Sequence, residues 1–244
     1  MTVRFDLELS ADQAGALAAT DPRWWFTPFQ FANAESPRHP KYQRLEMANR
    51  MKQEMVQASL ERLVPGKKVL DVFCANGGFS FEAVRLGAAD VLGLDYDETR
   101  IECGRFVGGL LQGRIPVIPR FQVADVYELH KTTTETFDVT LALGGLYHVA
   151  DPPLVLRNLR AVTSGHLIVQ TSRLLRMPGS WGRFMITSHS ADRTQEGGAG
   201  VWALSVKALE TMLTYARFEV VERLPVPRVR GRRIPWYGAV CRAV

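Results

Sequence analysis

The sequence predicts an α/β protein built on one doubly wound sheet, because strand-like apolar segments alternate with helical segments from residue 67 onward. The last two predicted strands follow each other without a helix between them, so they should form a hairpin, with one of them antiparallel. A block with helical periodicity precedes the alternating part. Together these observations predict a Rossmann-like seven-stranded sheet, mostly parallel with one antiparallel C-terminal strand, and an N-terminal helical cap.

The N-terminal block, residues 1–65, is predicted to cover the pocket of the sheet, and residues 66–244 to form the core. A first helix should begin with a capping box at Ser10 and end near Ala19. A second helix should run from Tyr42 to Leu63. Its apolar residues recur at helical spacing and should face the core, and they are Leu45, Ala48, Met51, Met55 and Ala58.

The core should contain seven strands and four helices. Strands are expected near residues 68–72, 90–95, 117–123, 137–143, 166–172, 219–224 and 236–242. Helices are expected near residues 79–87, 97–111, 153–162 and 205–217. A long irregular stretch from Thr171 to Ser205 should line a pocket, since long loops in compact domains are usually functional or mobile.

The stretch from Lys68 to Asp95 indicates a site for a nucleoside cofactor. Asp71 and Asp95 end successive strands, with a glycine-containing turn and a helix between them, as in one right-handed βαβ unit. The turn lacks the G-x-G-x-x-G pattern that binds pyrophosphate, because Phe73 and Ala75 replace two of its glycines. Asp71 would also repel a phosphate. S-adenosylmethionine, which is cationic and has no phosphate, therefore fits better.

Several residues near the strand ends are candidate contacts for this cofactor. Asp95 should bind the two ribose hydroxyls, and Asp125 should accept from the adenine amino group, although Asp125 is also a good helix N-cap. The thiol of Cys74 should pack as a neutral group. The full set of predicted cofactor contacts is Asp71, Phe73, Cys74, Ala75, Asn76, Gly77, Asp95, Tyr96, Asp125, Val126, Leu143 and Trp25.

The segments 69–78 and 91–95 resemble class I S-adenosylmethionine-dependent methyltransferases. This resemblance implies the cofactor and a methyl-transfer reaction. Within that superfamily, the first turn, residues 144–148 and the block 203–218 are similar to the group containing the tRNA wobble-uridine modifying enzyme, which uses carboxylated S-adenosylmethionine. The similarity extends from about Trp24 to the C-terminus.

Two departures from that tRNA group favour a different substrate. Those enzymes have a long additional N-terminal segment, which we do not expect in this protein. Phe26 also stands where those enzymes place a lysine that holds the extra carboxylate of the cofactor. An unpaired buried charge is costly, so ordinary S-adenosylmethionine and a small-molecule acceptor are predicted. Three alternatives stay open: a tRNA-modifying transferase, another displacement on S-adenosylmethionine, or a catalytically idle binding protein.

The fourth strand ends at Leu143 and is followed by two glycines, Tyr147 and His148. Open α/β sheets bind ligands beyond the carboxyl ends of their strands, so these residues should face the methyl donor. His148 is a candidate general base, with Tyr147 beside it, although a structural histidine is an equal alternative. An aromatic cluster should either close over the sulfonium or belong to the core, and it comprises Trp24, Trp25, Phe26, Phe29 and Phe31.

Composition and net charge limit the partners, metal sites and cellular location that we expect for this protein. The 244 residues carry a net charge of +5, which permits but does not require an acidic partner. Arginines are concentrated in two segments that are either solvated loops or contacts for an anion or RNA, namely Arg173, Arg176, Arg183, Arg228, Arg230, Arg232 and Arg233. Three scattered cysteines predict free thiols and no metal cluster. We expect a cytoplasmic protein without a membrane segment.

Overall fold

A computed structural model describes residues 1–172, 179–187, 199–229 and 231–244. The helices are α1 (Ala11–Ala18), α2 (Tyr42–Leu63), α3 (Gly78–Arg85), α4 (Glu98–Leu111), α5 (Leu129–Thr132), α6 (Pro152–Val162) and α7 (Val206–Tyr215). The strands are β1 (Val3–Arg4), β2 (Phe29–Gln30), β3 (Lys68–Val72), β4 (Asp90–Asp95), β5 (Arg120–Val123), β6 (Phe137–Leu143), β7 (Thr163–Ser172), β8 (Gly182–Thr187), β9 (Ala199–Leu204), β10 (Phe218–Arg223), β11 (Arg228–Val229), β12 (Arg232–Arg233) and β13 (Trp236–Ala243).

The chain forms two compact units, residues 1–125 and 126–244. In the first unit, β3, β4 and β5 pair in parallel, with Val69 opposite Val91 and Leu92 opposite Arg120. The side chains of β3 and β4 are largely buried on both faces, which is typical of parallel strands covered by helices. The predicted cap boundary at residue 65 stays a prediction.

In the second unit, β6 and β7 are parallel, and β13 lies between β7 and β10, antiparallel to both. Together with β3, β4 and β5, these strands make up one seven-stranded sheet. The predicted sheet is therefore confirmed, including its single antiparallel strand at the C-terminus. The hairpin expected of the last two strands is also confirmed, because β10 and β13 pair directly.

The N-terminal block has the predicted helices. Ser10 caps α1 in a capping box with Gln13. In α2, Met51 and Met55 are buried, as the helical spacing indicated, and Ala48 is half-buried. Ala58 is exposed, so its predicted core position was wrong, and the side chain of Leu45 lies outside the described residues. Four aromatic side chains of this block and one from α3 form a row of edge and stacked contacts, in the order Phe31, Phe5, Phe81, Phe29 and Trp25.

Two segment predictions need correction. The strand expected from residue 117 begins at Arg120, since Pro119 has no N–H to donate to a ladder. The stretch 171–205, expected to be irregular, contains β8 and β9, which pair antiparallel. Each of these strands is only six residues long and contains a glycine, so neither gives a clear strand pattern in the sequence. Residues 173–178 and 188–198 of that stretch lie outside the described residues, as does Arg230 of the second arginine segment.

Candidate functional site

The turn after β3 keeps the backbone of a glycine motif although two of the glycines are missing. Phe73 and Ala75 have φ angles of 62° and 50°, in the left-handed region that favours glycine, and Gly77 has a φ of 81°. Two hydrogen bonds hold the turn: Cys74 N–H donates to the Leu94 carbonyl (3.0 Å), and Ala75 N–H donates to Asp95 Oδ2 (2.8 Å). Neighbouring strand ends thus fix this unusual backbone.

The later part of the turn packs closely against the protein itself. A Cβ atom on Gly77 would lie 2.4 Å from the ring of Phe121, and one on Gly78 would lie 2.6 Å from Oγ1 of Thr27. Asn76 accepts a hydrogen bond from Thr27 N–H (2.9 Å) and donates one to the Thr27 carbonyl (2.7 Å). Both polar groups of the Asn76 side chain are therefore bonded to Thr27, so the predicted cofactor contact of Asn76 is limited to its backbone.

Asp95, at the end of β4, is an acid of the candidate site that two backbone N–H groups hold in place. Its side chain is largely buried, and its two oxygens accept from the N–H groups of Ala75 (2.8 Å) and Asp97 (3.1 Å). Burial raises the pKa of this carboxyl, while Arg100 opposes that shift. A carboxylate oxygen has lone pairs for more than one donor, so the vicinal hydroxyls of a ribose can still bind here.

Asp71 and Lys52 form a pair of opposite buried charges. Ser80 Oγ donates to Asp71 Oδ2 at 2.7 Å, and burial raises the pKa of Asp71 to about 7. Burial lowers the pKa of Lys52 to about 8, although the charge of Asp71 opposes that shift. Lys52 Nζ lies 5.6 Å from the ring centroid of Phe26 and 6.0 Å from that of Phe79. These two ring faces supply cation–π contacts.

Lys52 is 9% exposed as a residue, and no acceptor in the described part of the chain lies within hydrogen-bond or ion-pair distance of its ammonium. A buried charge without such a partner is costly unless a ligand completes it. Sequence analysis missed this residue. The available signal was a lysine in α2 on the same helical face as Met55 and Val56, at i+3 and i+4.

Most of the predicted aromatic cluster belongs to the core. Trp25 is 1% exposed, and its indole Nε1 donates to Thr20 Oγ1 at 2.8 Å. Phe29 and Phe31 are buried as well, whereas Phe26 is half-buried between Lys52 and Arg100. The ring of Trp25 is therefore enclosed by protein, while its cofactor contact stays a prediction.

Other predicted contacts of the first unit differ in exposure. Tyr96 is exposed beside Asp95, and Asp125 is exposed two residues past the end of β5. Cys74 is buried, and burial raises the pKa of its thiol well above the usual value, so it packs as a neutral group, as expected. Cys103 and Cys241 are also free and buried.

The candidate catalytic residues follow β6 in the second unit. Leu143 ends the strand, and Gly144, with a φ of 94°, donates its N–H to the Gln170 carbonyl (2.9 Å). A short helical turn, Leu146–His148, comes next, and the ring centroids of Tyr147 and His148 lie 4.0 Å apart. Val126, one of the predicted cofactor contacts, is half-buried at the start of this unit.

Comparison with known proteins gives the family. Residues 63–217 match the family described as a methyltransferase domain. The chain is 32% identical over 170 residues to a ubiquinone biosynthesis O-methyltransferase of Bordetella avium, with 70% of this chain and 62% of the relative covered. It is 30% identical over 164 residues to a tRNA U34 carboxymethyltransferase of Pseudomonas savastanoi pv. phaseolicola, with 66% of this chain and 48% of the relative covered.

A solved structure supports the fold. The 1,6-didemethyltoxoflavin-N1-methyltransferase of Burkholderia thailandensis, with bound 1,6-didemethyltoxoflavin and S-adenosylhomocysteine, superposes with a TM-score of 0.61 at 19% identity, covering 81% of this chain and 78% of that chain. The chain therefore belongs to the methyltransferase-domain family, and the predicted resemblance to the class I S-adenosylmethionine-dependent superfamily is confirmed. The chain spans between about half and two thirds of the lengths of these two relatives.

The described residues carry no helical membrane span and no cluster of metal-ligating side chains. No helix there has the length and apolar character needed to cross a membrane. No group of three or more potential metal-ligating side chains was found among them either.

Proposed function

We propose that this protein transfers a methyl group from S-adenosylmethionine to a hydroxyl of a small-molecule acceptor. The observation that carries the proposal is the buried Lys52–Asp71 pair beside a turn that keeps a glycine-motif backbone. The amino-acid end of S-adenosylmethionine is a zwitterion, so one buried cation and one buried anion complement it. The relatives named as O-methyltransferases support a hydroxyl acceptor.

Each residue of the first unit has a separate binding role in this proposal. Lys52 binds the carboxylate of the cofactor, and Asp71 attracts its ammonium group. Asp95 accepts from the ribose hydroxyls, while Ala75 is held in place by the same carboxylate. When bound, the cofactor supplies an electrophilic methyl on a sulfonium.

His148 removes the proton of the acceptor hydroxyl in this proposal. A neutral imidazole is a suitable base near pH 7, and the turn that carries it follows the carboxyl end of a strand. Positioning an attacking oxygen in line with the methyl group is the larger contribution, since orientation can supply roughly 7–11 kcal/mol of a barrier. We also propose a cytoplasmic location, which the three free thiols support.

The test is calorimetric titration with S-adenosylmethionine, followed by transfer of a labelled methyl group to a panel of hydroxyaromatic, amine and thiol compounds. Binding with label transfer to a hydroxyl supports the proposal, and His148→Ala should then lower kcat without weakening cofactor binding. A protein that binds no S-adenosylmethionine would overturn it.

A second candidate function is modification of a tRNA wobble uridine. One relative carries such a name, and the ammonium of Lys52, which has no hydrogen-bond acceptor among the described residues, suits an additional cofactor carboxylate. Titration with carboxylated S-adenosylmethionine separates the two candidates. Preference for the carboxylated form, together with tRNA binding that weakens steeply with salt, would favour the tRNA function.

A further inference from the structure

The backbone of Ala150 is held by side chains at both its N–H and its carbonyl. Its N–H and the N–H of Asp151 both donate to the hydroxyl oxygen of Tyr127, the second at 3.1 Å. Its carbonyl accepts a 3.1 Å hydrogen bond from the indole Nε1 of Trp202. Ala150 lies two residues beyond His148, in the short link between the 146–148 turn and α6.

Both partners of this peptide are themselves fixed. Asn158 in α6 donates to the carbonyls of Val126 (3.1 Å) and Tyr127 (2.9 Å), so the backbone that carries Tyr127 is bound to the helix. Trp202 in β9 lies directly opposite Phe184 in β8, with the two ring centroids 5.0 Å apart. The paired strands β8 and β9 therefore present the indole N–H from a supported position.

These hydrogen bonds contribute more to position than to stability. The contacts are solvent-exposed, and water would satisfy the same peptide group, so their net stabilisation is only about 0.5–1.5 kcal/mol each. Because three hydrogen bonds converge on two successive residues, they restrict the backbone just after His148. The N–H of His148 is bound on the other side of the turn, by the Gly145 carbonyl at 2.8 Å.

We propose that Tyr127 and Trp202 are positioning residues, which clamp the Ala150 peptide and so hold the His148 imidazole in its working orientation. This proposal rests on the proposed role of His148 as a base. It makes the β8–β9 hairpin part of the catalytic apparatus, since the indole of Trp202 links the hairpin to the His148 turn.

The test uses Tyr127→Phe, which removes only the accepting hydroxyl, and Trp202→Phe, which removes the donating N–H and keeps an aromatic ring. With saturating S-adenosylmethionine and catechol as the acceptor probe, each variant should lower kcat by about 5- to 30-fold, because small misplacements of reacting groups are costly. The dissociation constant for S-adenosylmethionine should stay within about twofold. Because both side chains act on one peptide, the double variant should lose less than the product of the two single effects.

Hydrogen exchange gives a readout that needs no acceptor. Peptides covering residues 144–151 should exchange faster in both variants than in the wild type. Matched controls are Tyr215→Phe and Trp181→Phe, which remove the same groups from exposed side chains of this unit. Both controls should leave kcat and the exchange of residues 144–151 unchanged.

Unchanged exchange in both clamp variants would overturn the proposal. Faster exchange with wild-type kcat would also overturn it, since the clamp would then have no catalytic effect. If no methyl is transferred to catechol, kcat is measured on the best acceptor of the panel. Failure of the wild type to bind S-adenosylmethionine would instead overturn the proposed function, while the exchange result would still decide whether the clamp restrains the turn.

Discussion

At the scale of single residues, Lys52 and Asp71 are destabilising when no ligand is present. Each carries a pKa shift caused chiefly by burial, upward for the acid and downward for the amine. Strongly shifted pKa values of buried groups cluster at functional sites, which makes this pair a candidate binding site. The free protein therefore keeps two poorly solvated charges that a zwitterionic ligand would complement.

Replacing Lys52 with methionine should separate binding from stability. We expect Lys52→Met to weaken S-adenosylmethionine binding by roughly 10- to 100-fold, since a hydrogen bond to a charged group contributes about 1.5–3 kcal/mol. The melting temperature of the free protein should rise at pH 6, where Asp71 is largely protonated, because an apolar side chain of similar length then replaces a buried ammonium without leaving an unpaired carboxylate. Calorimetry and thermal melting measure the two effects. The exposed Lys67→Met is the matched control, and wild-type affinity in Lys52→Met would refute the assignment.

Asp95 should be required for cofactor binding because its carboxylate has two functions. Asp95→Asn places an amide NH₂ group opposite one of the two backbone N–H donors. It also weakens the hydrogen bonds that the side chain accepts from the ribose hydroxyls. We expect the affinity for S-adenosylmethionine to fall at least about 100-fold, from two charge-assisted hydrogen bonds of about 1.5–3 kcal/mol each. Asp90→Asn, at the other end of β4, is the control and should bind normally. Equal affinity of both variants would exclude the ribose role.

At the scale of elements, the turn between β3 and α3 shows which glycines are necessary. Gly77 combines a φ of 81° with close packing against Phe121, whereas Ala75 tolerates its φ of 50° with the support of Asp95. We expect Gly77→Ala to lower the free energy of unfolding by roughly 2–4 kcal/mol, from strain and overpacking combined. Ala75→Gly should change it by at most about 1 kcal/mol. Urea denaturation measures both, and similar effects of the two substitutions would contradict this explanation.

The elements also show what could be predicted from the sequence. The bounds of β3, β4 and β6 follow from their continuous apolar runs, and they agree with the structure to the residue. The strands β8 and β9 were not predicted, because each is only six residues long and contains a glycine, which weakens a strand pattern.

In the site, strand-end acids were predictable because strand ends define the ligand edge of a parallel sheet. Lys52 was not, since it lies in a helix and only packing reveals its burial. The burial of Trp25 could not be predicted for the same reason, because an aromatic cluster has the same sequence pattern in a core and on a ligand surface.

At the scale of the whole molecule, stability and cofactor binding should depend on pH in opposite ways. In the free protein, Asp71 binds protons more tightly when folded, so its contribution to stability falls as pH rises from about 4 to about 7. Lys52 binds protons less tightly when folded, so its contribution rises with pH between about 8 and about 10.5. The contribution of this pair is therefore lowest between pH 7 and 8, where both groups are charged.

A zwitterionic ligand needs both charges, so its affinity should be highest in that same interval. We expect the rise in melting temperature caused by saturating S-adenosylmethionine to be largest between pH 7 and 8 and to decline on both sides. Asp71→Asn should remove the decline on the acidic side, and Lys52→Met should reduce the decline on the alkaline side. Thermal melting across pH 5–10, with and without cofactor, measures this. A stabilisation that does not vary with pH in the wild type would show that the pair does not contact the charged end of the cofactor.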